Sequence, residues 1–215
     1  MGSEHSLQRN EPLTKEQVKY VKTIAYYVQD LKHLPRGMTK VLDHLYLGDW
    51  EDATNVEKLK ETGITHIINT VDELYENCRT KKEFYGPDIE YMGFTSLDDE
   101  SYDIMKHFEE VHKFIESAKA SGGKCFIHCM AGINRSGCLA TAHVMLDQNM
   151  GPITAARFIF EKRGMLLSNS GFVERLVNFA VDRELLELDK DNLLSPFKGS
   201  SSVRNADNNH SEVVI

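Results

Sequence analysis

The chain has 215 residues, of which 41% are hydrophobic and 27% charged, and its net charge is −8. That length and composition suit one globular domain with a sizeable core. The acidic balance excludes the broad basic face that nucleic acids or anionic membranes select. Four cysteines, Cys78, Cys125, Cys129 and Cys138, have neither metal-type spacing nor the density of a disulfide framework. No apolar run is long enough to span a bilayer and no secretory leader is visible. A reducing setting is therefore expected, cytoplasmic and open to the nucleus.

Residues 1–12 are polar and expected to be flexible. Their start, Met1-Gly2-Ser3-Glu4-His5-Ser6, fits the N-myristoylation pattern at Gly2. One acyl chain would give only marginal, reversible membrane association. Thr14-Lys15-Glu16-Gln17 has the form of a capping box. Val18, Val21, Ile24, Ala25, Val28 and Leu31 follow at helical spacing, predicting an amphipathic helix over 15–32, packed on the domain's own core. It should stop before Leu34-Pro35-Arg36-Gly37. Val41-Leu42 and Leu45–Gly48 read as two short strands. Residues 55–61 read as a short helix stopped by Gly63, and 64–69 as a buried strand whose His66 is structural.

The segment 71–87 is polar and loop-like, and 89–94 is the next strand. An acidic loop over 95–103 carries Asp98, Asp99, Glu100 and Asp103. Ile104, Phe108, Val111, Ile115 and Ala118 then mark one face of a helix, and Gly122-Gly123 turns into a strand over 124–128. Residues 136–148 are apolar nearly all round, so that helix should be central and buried. Pro152 opens a helix to about 163, and 169–187 gives the last one. The domain is thus expected over 13–187. From 188 onward the text turns to Ser, Gly, Asn and Asp, which predicts a disordered tail. In that tail, Ser195-Pro196 offers a phosphorylation site, and Val213-Val214-Ile215 offers a carboxylate to a peptide-binding groove. Strands alternating with helices indicate an α/β domain, a central mainly parallel sheet of about five strands flanked by helices.

The chemistry is concentrated in residues 124–137. An apolar strand ends at His128, Cys129 follows, and after five residues come Arg135 and Ser136 at the start of a helix. A thiol attacks as its thiolate, and an ordinary free thiol, with pKa near ~8.5, is mostly protonated at neutral pH. Backbone N–H groups of Met130, Ala131, Gly132, Ile133 and Asn134, converging at a helix N-terminus, would stabilise an anion there, whether thiolate or phosphate. Gly132 lets the loop turn those groups inward. Arg135 offers a planar fork for two phosphate oxygens, and Ser136 a hydrogen bond to the leaving sulfur. His128 can bond carbonyls and fix the loop's entry. The leaving oxygen needs a proton, and the acidic loop is the source. Asn134-Arg135-Ser136 also matches a glycosylation acceptor, a match that a reducing compartment makes irrelevant.

The run His128-Cys129-Met130-Ala131-Gly132-Ile133-Asn134-Arg135-Ser136 resembles the signature of the cysteine-dependent protein tyrosine phosphatases, and most closely its dual-specificity (VH1-like) branch. The resemblance extends over about residues 38–185 and implies a phosphatase-type α/β domain, with the N-terminal helix as an addition beside the catalytic domain. Asn134 stands where many members carry a small hydroxyl residue, and Gly137-Cys138 replaces a small residue and threonine. The family's acid lies ten residues before a helix aromatic. With Phe108 as that aromatic the acid is Asp98, and Asp99 is the runner-up. Ser168-Asn169-Ser170-Gly171-Phe172 resembles the family's Pro-Asn-x-Gly-Phe, with Ser168 in place of proline. The resemblance implies that Asn169 braces the cradle loop; a helix N-cap is the other role open to it.

The function expected is hydrolysis of phosphotyrosine, with phosphoserine and phosphothreonine, on protein substrates, through a cysteinyl-phosphate and without metal or cofactor. The alternatives are a phosphoinositide or RNA-end phosphatase on the same scaffold, or a phosphoprotein-binding scaffold without turnover. Lipid enzymes of this type carry lysines in the cradle, and this cradle has only Arg135 as its cation. Cys78 is a candidate resolving thiol for an oxidised Cys129.

Overall fold

In the computed structural model, residues 12–29, 37–74 and 80–194 are described. Gly2, Pro35, Cys78, Ser195 and the C-terminal Val213-Val214-Ile215 lie outside them, and so do the readings placed on them.

Helix α1, Lys15–Val28, starts at the expected capping box. The Gln17 N–H donates to Thr14 Oγ1 and the Thr14 N–H donates to Gln17 Oε1. Its face of Tyr20, Ile24 and Val28 is buried. Strand β1, Thr39–Leu42, turns into β2, Leu45–Gly48. Two short helices follow, α2 over Trp50–Thr54 and α3 over Val56–Thr62, before β3, His66–Asn69. Then come α4, Lys82–Tyr85, and β4, Glu90–Gly93. A 3₁₀ turn over Ile104–His107 leads into α5, Phe108–Ala120, and β5, Cys125–His128. The last helices are α6, Arg135–Asp147, α7, Pro152–Arg163, and α8, Ser170–Asp182. Helices α2 and α4 were not expected. With five and four residues, neither is long enough to carry a periodic signal.

The five strands are ordered β1-β2-β5-β3-β4, with β1 antiparallel to β2 and all other pairs parallel. Strand β5 alternates strictly. Cys125 and Ile127 enter the larger core beneath α6, while Phe126 enters a smaller one with Tyr46, Leu59 and Ile67. Helix α6 is buried along most of its length, as expected for an element covered on several sides. The register brings Gly48, His128, Asn69 and Gly93 into one row at the C-terminal edge of the sheet. Such an edge is where open parallel sheets bind ligands, and Cys129 is the next residue beyond it.

One boundary differs from expectation. The chain does not become structureless at 188: Leu186–Asn192 forms a 3₁₀ segment in which Asp189 is fully buried. Its carboxylate accepts from the N–H groups of Ile153 (2.6 Å) and Thr154 (3.1 Å), which open α7 and have no cap of their own from Gly151. Polar composition suggested a tail, but here the polar atoms satisfy a helix N-terminus.

Candidate active site

The row of strand ends is stitched together by backbone carbonyls. The Thr70 N–H and hydroxyl both donate to His128 O, at 3.1 and 3.0 Å. The Ser96 N–H and hydroxyl both donate to Thr70 O, at 3.1 and 2.6 Å. Arg135 in turn reaches Ser96 O through Nη1, at 3.4 Å. The loops after β3, β4 and β5 are thereby held to one another and to the first residue of α6.

Cys129 sits at the floor of the resulting cradle, 1% exposed. The Gly132 N–H donates to its Sγ at 3.2 Å. Burial by itself pushes the Cys129 thiol up. The Arg135 guanidinium, the Ser136 hydroxyl and the N–H groups of Ser136 and Ile133 outweigh it and hold the thiol below its ordinary value. Two buried donors at this site, Arg135 Nε and the Ser136 hydroxyl, have no well-directed partner in the protein. Arg135 Nε lies 3.8 Å from Asp98 Oδ2, and the Ser136 hydroxyl is among the groups that hold the Cys129 thiol down.

Gly132 has φ +64, and a Cβ there would meet Gly48 O at 2.4 Å and Arg163 Nη2 at 2.3 Å. Only glycine fits. Arg163, from the end of α7, is fully buried behind the loop. Its Nε donates to Gly132 O (2.7 Å), Nη2 to Ala131 O (3.4 Å) and Nη1 to Leu47 O (3.2 Å) and Thr39 Oγ1 (3.0 Å). By drawing those carbonyls backward it turns the N–H groups of the same loop forward. The sequence reading did not single out Arg163. At a helix C-terminus an arginine is ordinarily a solvated charge, and only the fold brings it 31 residues back to the cradle.

His128 is fully buried, and burial holds it down to about 4, so it is neutral near pH 7. Its Nδ1 lies 3.3 Å from Cys129 O. This is the carbonyl contact expected of it, and no hydrogen bond joins its ring to the sulfur. Cys125 and Cys138 are core residues whose thiols burial pushes up, so neither competes with Cys129 as a thiolate.

The acidic loop lies over the cradle. Asp98 Oδ2 is 3.8 Å from Arg135 Nε and accepts from Asn134 Nδ2 at 3.2 Å, while Oδ1 accepts from Asn169 Nδ2 at 2.9 Å. Asn134 Oδ1 accepts from the Asn169 N–H and the Ser168 hydroxyl, both at 3.1 Å. Asn169 also caps α8, accepting from the Phe172 N–H, while only its backbone N–H reaches the cradle residue Asn134. Asp99 instead accepts from the Ser101 N–H in its own turn, is exposed, and is held below the ordinary carboxylate range by the Ser101 hydroxyl and N–H. The loop is gripped from α8 as well. Arg175 donates to Glu100 O (2.9 Å) and Ser101 O (2.7 Å), and Gly171 has no room for a Cβ against Glu100 O. Arg175, too, carried no signal in the sequence beyond an exposed basic residue on a helix. Met130, Ala131 and Ile133 offer the cradle backbone only. No helix among the described residues is long and apolar enough to cross a membrane.

A family model described as "Dual specificity phosphatase, catalytic domain" matches residues 45–182. The chain is 32% identical over 143 residues to dual specificity protein phosphatase 22-A of Danio rerio, covering 66% of this chain and 65% of that one. It is 36% identical over 143 residues to dual specificity protein phosphatase 15 of Mus musculus, covering 66% and 57%. Thus it spans less than two thirds of the length of these curated relatives. The crystal structure of DUSP15 superposes with a TM-score of 0.60 at 34% identity, covering 70% of this chain and 93% of that one.

Proposed function

Since the chain belongs to the dual-specificity phosphatase family, we propose that it is a protein phosphatase acting on phosphotyrosine, and on phosphoserine and phosphothreonine, through a phosphorylated Cys129. The observation that carries this reading is the state of Cys129. It is fully buried, yet its thiol is held below the ordinary value because Arg135, Ser136 and the loop N–H groups converge on the sulfur.

In the first step the thiolate forms an S–P bond as the ester P–O bond breaks. Asp98 gives its proton to the leaving oxygen, and Arg135 follows the charge on the equatorial oxygens. In the second step water attacks phosphorus, and its proton passes to the Asp98 carboxylate. The S–P bond breaks, inorganic phosphate leaves, and the thiolate returns under the Ser136 hydroxyl. Asp98 is preferred to Asp99 because it faces Arg135 across 3.8 Å, whereas Asp99 is turned into its own loop. With Arg135 its single cation, the loop favours a phosphomonoester on protein over a polyanionic lipid.

The test is turnover of p-nitrophenyl phosphate, then of matched phosphotyrosine and phosphothreonine peptides. The native protein should turn all three over and yield a phosphoenzyme that rapid denaturation traps. Cys129→Ser should abolish both while still binding the phosphopeptides. No turnover by the native protein would refute the enzyme reading, and peptide binding without turnover would support a scaffold instead.

A further inference from the structure

At the end of α6 farthest from the cradle, four side chains from three parts of the chain converge on a point that the chemistry above does not use. His143 and Asp147 stand one turn apart on α6, Glu116 projects from α5, and His44 sits in the turn between β1 and β2. One nitrogen or oxygen of each lies within 4.8 Å of all the others. The Nε2 atoms of His44 and His143 are 3.3 Å apart. Asp147 Oδ1 is 3.7 Å from His44 Nε2, and Glu116 Oε1 is 3.8 Å from His143 Nε2. A tetrahedral ion with bonds of about 2.0–2.2 Å spaces its ligand atoms roughly 3.3–3.6 Å apart. The three edges fall at that spacing or just beyond it. We propose that His44, Glu116, His143 and Asp147 form a structural site for a divalent transition metal of the zinc type, clamping the β1–β2 turn to α5 and α6.

The donor set is right for such an ion. Two imidazoles with two carboxylates suit zinc, and two negative charges balance its two positive ones. His143 is fully buried, and the side chains of Asp147 and His44 are only 3% and 12% exposed. His143 Nδ1 also has its own partner, His112 Nδ1 at 2.9 Å. With the proton on His143 Nδ1 donating to His112, the Nε2 lone pair is left facing the other three ligands. That outer hydrogen bond is the usual means of fixing a ligating histidine. The positions 44, 116, 143 and 147 form no contiguous motif, so sequence spacing could not reveal them.

One neighbour works against the ion and makes the idea testable in both directions. The Lys119 ammonium bonds Asp147 Oδ1 and lies 3.9 Å from Glu116 Oε1. Metal and ammonium therefore compete for the same carboxylates, and Lys119, half exposed on α5, is free to swing away. From Arg135 to Asp147 the helix rises about 18 Å, so the ion would act on stability and lie well away from the reacting phosphate.

The experiment uses the full chain carrying Cys129→Ser, because a reactive thiolate binds zinc itself. Titration with Zn²⁺ alone should raise the melting temperature at one equivalent. Co²⁺ alone should give the strong visible bands of tetrahedral cobalt. Asp147→Asn, nearly isosteric, should weaken both responses at least tenfold, and Lys119→Met should tighten them. His143→Ala is the obvious variant but empties a fully buried position, so it is not relied on. Absence of tetrahedral cobalt bands, or binding indifferent to Asp147→Asn and not tightened by Lys119→Met, would overturn the site and leave a hydrogen-bonded histidine cluster.

Discussion

The lowering of the Cys129 thiol is a balance of opposed effects, so its parts can be removed one at a time. Burial favours the neutral thiol; Arg135, the Ser136 hydroxyl and two N–H groups favour the anion and prevail. Ser136→Ala removes one of the lowering contributions, so the thiol must move up. The midpoint of iodoacetamide alkylation against pH should shift toward alkaline values, with the protein still folded. An unmoved midpoint would mean that the hydroxyl does not act on the sulfur. His128 cannot account for an acid limb near neutrality, because burial keeps it neutral down to about pH 4. That Cys129, Arg135 and Ser136 meet at one point was legible in the sequence because they occupy one contiguous run whose spacing a strand-loop-helix turn converts directly into geometry. Arg163 and Arg175 were not legible. Each acts on carbonyls of a distant loop, and nothing in its local sequence sets it apart from a solvated arginine.

Between elements, the informative feature is that Asn134 and Ser168, two of the positions at odds with the family pattern, are hydrogen-bonded to each other. Asn134 bridges the cradle to Asp98 on the loop after β4 and to the start of α8. Asn169 and Arg175 hold the acidic loop already, and Asn134 adds a second side-chain amide to Asp98 where a small hydroxyl could not. Asp98→Asn removes the proton donor and should lower kcat by about 10²–10⁴-fold. It should also erase the basic limb of the pH–rate profile, and a retained limb would shift the role to Asp99. Asn134→Ser leaves the acid present but loosely placed, so the basic limb should survive while kcat falls roughly tenfold. That loss should be larger for phenyl phosphate than for p-nitrophenyl phosphate, whose better leaving group needs the proton less. Equal losses on the two substrates would argue that Asn134 supports the cradle and not the acid. The long elements and the sheet could be read from their periodicities and their glycine stops. The clasp could not, since it depends on side chains from positions 98, 134, 168 and 169 meeting across three loops.

Over the whole molecule, the cradle is supported from behind by α7, and α7 is supported by the segment that composition assigned to a tail. Asp189 takes the place of a cap at the N-terminus of α7, while Arg163 at the other end of that helix holds the cradle carbonyls. The segment is in turn covered by α1, where the Tyr20 hydroxyl donates to Leu186 O at 3.0 Å and Thr23 Oγ1 accepts from the Leu194 N–H at 3.3 Å. Stability should therefore run through residues that touch no reacting atom. Asp189→Ala leaves the buried Ile153 N–H and the part-buried Thr154 N–H without an acceptor, at a cost of about 1–3 kcal/mol, or roughly 2–4 °C of melting temperature per kcal/mol in a chain of this size. A chain ending at Glu187 should melt lower still than one ending at Leu194, because it also removes the cover of α1. Asp189→Ala should reduce kcat/KM less than it reduces stability, since Arg163 keeps its bonds as long as α7 is folded. If the chains ending at 187 and at 194 melt together, the 3₁₀ segment contributes nothing, and the domain ends where the composition first placed it.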